Sequence, residues 1–277
     1  MKKYITGFFM AWGCFTVIPC PYKKWDENAR DQMLFALPFI GLIVGWLWYG
    51  VYLLLWKALA IPHLIAAVIL AFFPMLLTGF IHIDGFMDCC DAIGSRRPRE
   101  DKLRILKDAH VGAFACIGIA FWAMIGTGGM DAVLLAPEVT EAGSVGFLTI
   151  GKVNMTPCLI LIPAVSRFMS AISVWNYPPL PTSQYNRTSG ADAGGRKPVG
   201  AMVLVMLLIF AIFFVVVEFS TFTHLISRTE LVFVIEMVAY YLACMHARRQ
   251  LGGMSGDISG YSIAVAETAA LLAIALL

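Results

Sequence analysis

Charge is what this sequence has least of. Of 277 residues only 14% are Asp, Glu, Lys or Arg, whereas 60% are hydrophobic, and the mean hydropathy is +0.79. A soluble domain carries about 25% charged and 45–50% apolar residues, so a soluble globular fold is excluded. Ten-residue segments of alternating polarity are missing, which excludes an outer-membrane barrel. The seven cysteines are an odd number with no CxxC pair and read as reduced packing residues in a chain whose polar face is cytoplasmic. Cys89 and Cys90 are adjacent, point to different sides of a helix, and make no metal pair. No small-x-small site follows Lys2 and Lys3, and Pro19 and Pro21 stand where one would lie, so an uncleaved N-terminus is expected. No internal repeat is present, which argues against an inverted-repeat transporter.

What is there is a series of apolar runs, at 5–19, 34–60, 61–83, 111–136, 153–175, 199–217, 231–247 and 259–277. About 20 residues cross a bilayer as a helix, so the fold class is all-α, a polytopic helical membrane protein forming one integral membrane domain over 1–277. Proline does not continue a helix cheaply, so Ile61-Pro62 separates the second and third runs. Placing the basic stretch 96–107 in the cytoplasm puts fourteen Lys/Arg in the inside loops 21–32, 94–107, 176–198 and 248–258. The outside loops 137–152 and 218–230 then carry one each, Lys152 and Arg228. This asymmetry orients the chain. The first run is short for a span. The expectation is seven spans plus a short N-terminal membrane or interfacial helix.

Carboxylates are costly in this setting, yet Asp84, Asp88 and Asp91 fall within eight residues at the end of a span. Positions i, i+4 and i+7 share a helix face. Like charges so close repel unless something neutralises them. Hard oxygen donors suit Mg²⁺ or Mn²⁺, which combine carboxylates with substrate phosphates, and such cations neutralise the charge of phosphoryl transfer. A water-facing helix would carry the acids equally well, but Ile83, Phe86, Met87 and Ile93 make the stretch half apolar. A proton or cation pathway would place acids at mid-membrane in several spans. Arg96, Arg97, Arg99, Lys102, Arg104 and Lys107 follow, interleaved with Glu100 and Asp101, too mixed for a nucleic-acid footprint. Asp108 and His110 precede the next span, where a carboxylate is a further ligand, a general base or a helix cap.

The sequence resembles the adenosylcobinamide-GDP ribazoletransferases, or cobalamin synthases. Their H-x-DG-x-x-D-x-x-D motif is similar to His82-Ile-Asp84-Gly85-Phe-Met-Asp88-Cys-Cys-Asp91, and their KD-x-x-x-G to Lys107-Asp108-Ala-His-Val-Gly112. Phe15-Thr16-Val17-Ile18-Pro19-Cys20-Pro21, then Pro38, Gly41 and Gly45, resemble N-terminal elements, with Val17 where the family usually has Arg. Gly252-Gly253-Met-Ser255-Gly256-Asp257-Ile-Ser-Gly260 resembles the C-terminal one, with Glu267 further along and Ala264 where Glu is frequent. The likeness covers nearly the whole chain. It implies joining of adenosylcobinamide-GDP to α-ribazole or its 5′-phosphate with release of GMP and Mg²⁺ as cofactor, and the Lys/Arg asymmetry puts this chemistry at the cytoplasmic face of the inner membrane.

On this reading Asp84, Asp88 and Asp91 hold the metal, and Asp91 or Asp108 takes the hydroxyl proton. Gly85, Arg167, Gly253 and Asp257 meet the substrate. Gly85 equally serves helix packing, and Asp257 equally caps the last helix. Arg167 lies mid-span, where an arginine needs a partner; Glu236 and Glu267 are intramembrane acids able to supply one. Asp131, after Gly126, Gly128 and Gly129, marks a helix break. Lipid is the expected surrounding, with Trp25 and Trp175 as interface anchors, and the oligomeric state, a homo-oligomer included, is left open. The competing readings are a CDP-alcohol phosphatidyltransferase, whose motif needs a later Gly and two spaced Asp that are missing here, and a cation or solute transporter.

Overall fold

The structure, a computed structural model, describes residues 2–135, 155–181, 198–218 and 228–277. The Gly-containing loop 186–197 and the outside loop 137–152 lie outside the described residues, as does most of 218–230. The described residues are helical: α1 (Lys2–Phe15), α2 (Arg30–Tyr52), α3 (His63–Leu77), α4 (Ile81–Gly94), α5 (Arg99–Ile105), α6 (Ala113–Leu135), α7 (Ile162–Asn176), α8 (Val199–Glu218), α9 (Arg228–Leu251) and α10 (Gly256–Leu276). Among them, four helices are long and apolar enough to cross a membrane: α2, α6, α9 and α10. The bent pair α3–α4 makes a fifth if it counts as one span. Seven spans is the sequence expectation; α8 adds one shorter apolar helix, over Val199–Phe213.

The outer faces show the lipid-facing pattern. On α6, Phe114, Ile117, Phe121, Met124 and Ile125 are exposed; on α8, Leu204, Leu207, Leu208, Ile212 and Val215; on α9, Leu231, Val234, Val238, Tyr241 and Leu242. Spacings of three and four put each set on one helix face. Apolar faces of this extent belong against lipid, not water. The helix of 14 residues at the N-terminus is too short to span, and packs on α2, where a Cβ at Gly7 would lie 2.5 Å from the Gln32 carbonyl carbon.

Glycines set the close helix crossings. A Cβ at Gly41 would lie 2.2 Å from the Pro163 carbonyl oxygen, and one at Gly45 2.0 Å from that of Ile160, so α2 touches the backbone of α7 and of the 3₁₀ turn Thr156–Ile160 before it. The break between the second and third runs falls at 59–62, with Ala60 at φ 49° and Pro62 before α3. The run 61–83 is not one straight span. Gly79 and Phe80 both take the left-handed region, at φ 63° and 61°, and α3 and α4 meet at 94°. The Gly79 and Phe80 amides bond back to Leu76 and Met75, closing α3, and the Asp84 amide donates to the Phe80 carbonyl, opening α4. Asp131, by contrast, interrupts nothing. It sits inside the continuous α6, with its Oδ1 2.6 Å from His63 Nδ1; the preceding glycines leave the backbone ladder intact.

Candidate active site

Gly85 and Gly260 bring α4 and α10 into backbone contact. A Cβ at Gly85 would lie 2.7 Å from the Asp257 Cα, and one at Gly260 2.9 Å from the His82 carbonyl oxygen. This crossing places Asp84 and Asp257 on one wall of a cavity of ≈ 360 Å³, closed on its other sides by α1, α2 and α7. The expected contact of Gly85 is thus with α10. Asp257 does not cap its helix: Ser255 does, its hydroxyl accepting from the Ile258 amide at 3.3 Å, and donating to Asp257 Oδ2 at 3.3 Å. The Asp257 carboxylate remains turned to the cavity, in the first helical turn, where the exposed amide ends favour negative charge.

Asp84 is exposed at the mouth and Asp257 half-buried behind it. Arg30 and Lys107 also line the cavity, Arg30 in an ion pair with Glu27 at 2.6 Å. At the floor lies Arg167, 1% exposed. Its Nη1 donates to Glu267 Oε1 at 2.5 Å, the Pro163 carbonyl at 3.0 Å and the Ser166 hydroxyl at 3.1 Å. The Ser166 hydroxyl also donates to Glu267 Oε1, at 2.8 Å. Of the two intramembrane acids, Glu267 is therefore the partner of Arg167. Glu236 feels both charges, yet among the described residues neither of its oxygens makes a well-formed hydrogen bond.

The other expected site residues stand elsewhere. Asp88 is outside the cavity lining, although Asp84, Asp257 and Asp91 all act on it electrostatically. Asp91, 9% exposed, spends both oxygens on the start of α6: Gly112 donates to Oδ2 at 2.6 Å and Ala115 to Oδ1 at 2.9 Å. Gly112 makes this possible, since a Cβ there would lie 2.5 Å from Oδ1. Asp108 is on the surface, accepting from the His110 amide at 3.0 Å, with His110 Nδ1 2.6 Å away. The His110 side chain, then its amide, hold the Asp108 carboxyl below its ordinary pKa. Gly253 packs on a returning segment: the Leu180 amide donates to Met254 and that of Met254 to Pro178, both at 2.8 Å. A Cβ at Gly253 would lie 2.8 Å from the Leu180 nitrogen. Part of the basic stretch is structural too, Arg99 Nε donating to the Leu251 carbonyl at 2.8 Å and Lys102 to Gln250.

Sequence reading gave no role to Arg30 or to the cavity serines Ser170, Ser255 and Ser259. They belong to two series, Ser166, Ser170 and Ser173 on α7 and Ser255, Ser259 and Ser262 at the start of α10, that recur every three or four residues, a signal of two polar stripes. Ser170 and Ser259 meet across the cavity, Oγ to Oγ 2.5 Å. Among the described residues no three His, Cys, Asp or Glu side chains come together closely enough to hold a metal ion by themselves. Mg²⁺ needs no such cage; it uses one or two carboxylates plus waters and substrate phosphates. Asp84 and Asp257 fit that requirement, facing one cavity, and both act electrostatically on the neighbouring Asp88.

Fold and cavity together define a multi-pass helical membrane protein with a polar pocket of carboxylates, hydroxyls and one buried guanidinium inside an apolar bundle. The sequence model of the cobalamin-5-phosphate synthase family matches residues 7–275. An adenosylcobinamide-GDP ribazoletransferase of Clostridium perfringens is 32% identical over 275 residues, covering 98% of each chain. One of Clostridium botulinum is 31% identical over 272 residues, covering 98% of this chain and 97% of its own. That of Halalkalibacterium halodurans is 29% identical over 268 residues, covering 95% and 92%. No solved structure matches the chain. The chain belongs to the cobalamin-5-phosphate synthase family and is an enzyme.

Proposed function

We propose that the protein is an adenosylcobinamide-GDP ribazoletransferase. It joins adenosylcobinamide-GDP to α-ribazole or α-ribazole 5′-phosphate, releases GMP, and forms adenosylcobalamin or its 5′-phosphate, the closing step of cobamide assembly. The observation that carries this reading is the cavity itself: in a chain matched to the family over residues 7–275, Asp84, Asp257 and Arg167 line one pocket.

A ribose hydroxyl of the acceptor attacks the phosphorus attached to cobinamide, and the bond to the GMP phosphate breaks. Asp84 and Asp257 would hold Mg²⁺ with substrate phosphate oxygens completing its shell, and Asp88 adds negative potential from the next turn. When bound, the cation supplies neutralisation of the diphosphate charge. Arg30 and Lys107 draw the anionic substrate to the mouth. Arg167 contacts the substrate at the floor. The proton-accepting role expected of Asp91 or Asp108 falls to a cavity carboxylate, because Asp91 is engaged with α6 and Asp108 faces solvent. The Lys/Arg asymmetry supports a cytoplasmic, inner-membrane orientation of the cavity mouth, with lipid around the bundle.

The test is turnover. Protein purified in detergent receives adenosylcobinamide-GDP, α-ribazole and Mg²⁺, and GMP and cobalamin are followed by mass-resolved chromatography. The expected result is Mg²⁺-dependent product from wild type, with roughly 100-fold loss or more in Asp84→Asn and Asp257→Asn. Folded wild type that makes no product with ribazole or its phosphate overturns the assignment.

A further inference from the structure

Arg167 has five N–H donors in a planar fork, and only Nη1 is engaged. Nε and Nη2 are buried without a partner among the described residues. Buried donors left unpaired are costly, and this pair forms the side-on edge that grips two acceptors at once. Glu267 already neutralises the guanidinium. A phosphate placed there would lose its hydration and meet no net opposite charge. A neutral ligand with two adjacent acceptors meets the free edge without that desolvation cost.

The cavity gives such a ligand an order. Asp257 stands at the outer end of α10, Ser259 two residues further, and Glu267, which holds Arg167, ten residues further. Ten residues are about 15 Å of helix rise. Between the ends, Ser259 meets Ser170, one turn along α7 from Arg167. The rest of the wall is largely apolar, with Met33, Leu34, Leu37 and Ile263, as a flat heterocycle requires.

We propose that the cavity floor is a guanine seat: the free Nε and Nη2 edge of Arg167 reads O6 and N7 of the purine, Ser170 and Ser259 face the ribose, and Asp84 and Asp257 face the phosphates. Glu267 and Ser166 are positioning residues that fix the other edge of the guanidinium. Arginine pairs bidentately with O6 and N7 of guanine, whereas adenine offers an amino donor in place of O6 and is read by Gln. Arg167 therefore selects the guanosine-linked donor over an adenosine-linked one. The inference rests on the transferase reading for its donor but is tested by binding alone.

Binding of GMP, IMP, AMP and inorganic pyrophosphate to the detergent-purified full chain is measured by calorimetry in the presence of Mg²⁺. Wild type is expected to bind GMP and IMP, which share O6 and N7, roughly tenfold or more tighter than AMP. Glu267→Gln, which keeps an acceptor for Nη1, retains that preference. Arg167→Gln paired with Glu267→Gln, which leaves no unpaired charge, shifts preference toward AMP. Equal affinity of wild type for GMP and AMP overturns the seat, and this readout does not depend on any variant folding. So does pyrophosphate binding that falls with Arg167 while the base preference persists, because the floor is then a phosphate site. Base discrimination without turnover of adenosylcobinamide-GDP upholds the seat and sinks the transferase reading; turnover without discrimination does the reverse.

Discussion

Four of the five aspartates between residues 84 and 108 are candidates for the site, and their surroundings separate them. Asp84 faces the cavity mouth, Asp88 lies beside it, Asp91 caps α6, and Asp108 binds His110 in water. Asp91→Ala removes the acceptor of two amides at the start of a span. It is expected to cost about 1–3 kcal/mol, read as a lower Tm in detergent, whereas Asp84→Asn leaves Tm nearly unchanged and abolishes turnover. Asp108→Asn is expected to leave turnover within a few-fold of wild type in the same assay. The Asp108 pKa is depressed in the folded chain. Its contribution is therefore present above the ordinary carboxylate pKa, about 3.9, and is lost as pH falls through the lower folded value. Hydrogen exchange at the His110 amide is expected to quicken as pH drops through that window, after correction for intrinsic rates, and Asp108→Asn removes the transition.

The crossing of α4 and α10 governs the site at the scale of elements. Alanine is the better helix former by about 1 kcal/mol, yet Gly85→Ala puts a Cβ 2.7 Å from the Asp257 Cα. The helices must part, so lower thermal stability and strongly reduced turnover are expected together; a variant with raised Tm and full activity rejects this account. The Arg167–Glu267 pair ties α7 to α10 in the same way. Removing one partner leaves a buried charge alone and costs about 3–5 kcal/mol, while replacing both with apolar residues is far milder. Arg167→Met is therefore expected to unfold at lower temperature than Arg167→Met paired with Glu267→Met. Glycine positions and intramembrane charges were visible in the sequence, and Glu267 was one of two acids that could serve Arg167. The choice against Glu236 came from helix rotation, which puts Glu267 and not Glu236 within bonding distance.

The whole molecule is an apolar bundle whose polar cavity draws on α1, α2, α4, α7 and α10, from residues 14 to 263 of the chain. The proposed cytoplasmic orientation of the cavity mouth predicts that trypsin cuts within 96–107 in inverted vesicles and spares that stretch in right-side-out ones; cleavage from the outer face reverses the topology. The sequence by itself determined the membrane class, because 60% apolar composition and recurrent runs leave no other solvent. It also determined the aspartate-rich element and the family likeness, because these reside in residues close along the chain. Tertiary structure alone decided which aspartates share a cavity. A period of 3.6 residues sets three acids on one helix face but says nothing of what packs there. The turn at Gly79-Phe80, the glycine contact with α10 and the start of α6 against Asp91 settle that, and each joins segments distant in sequence or a backbone conformation that no side-chain pattern encodes.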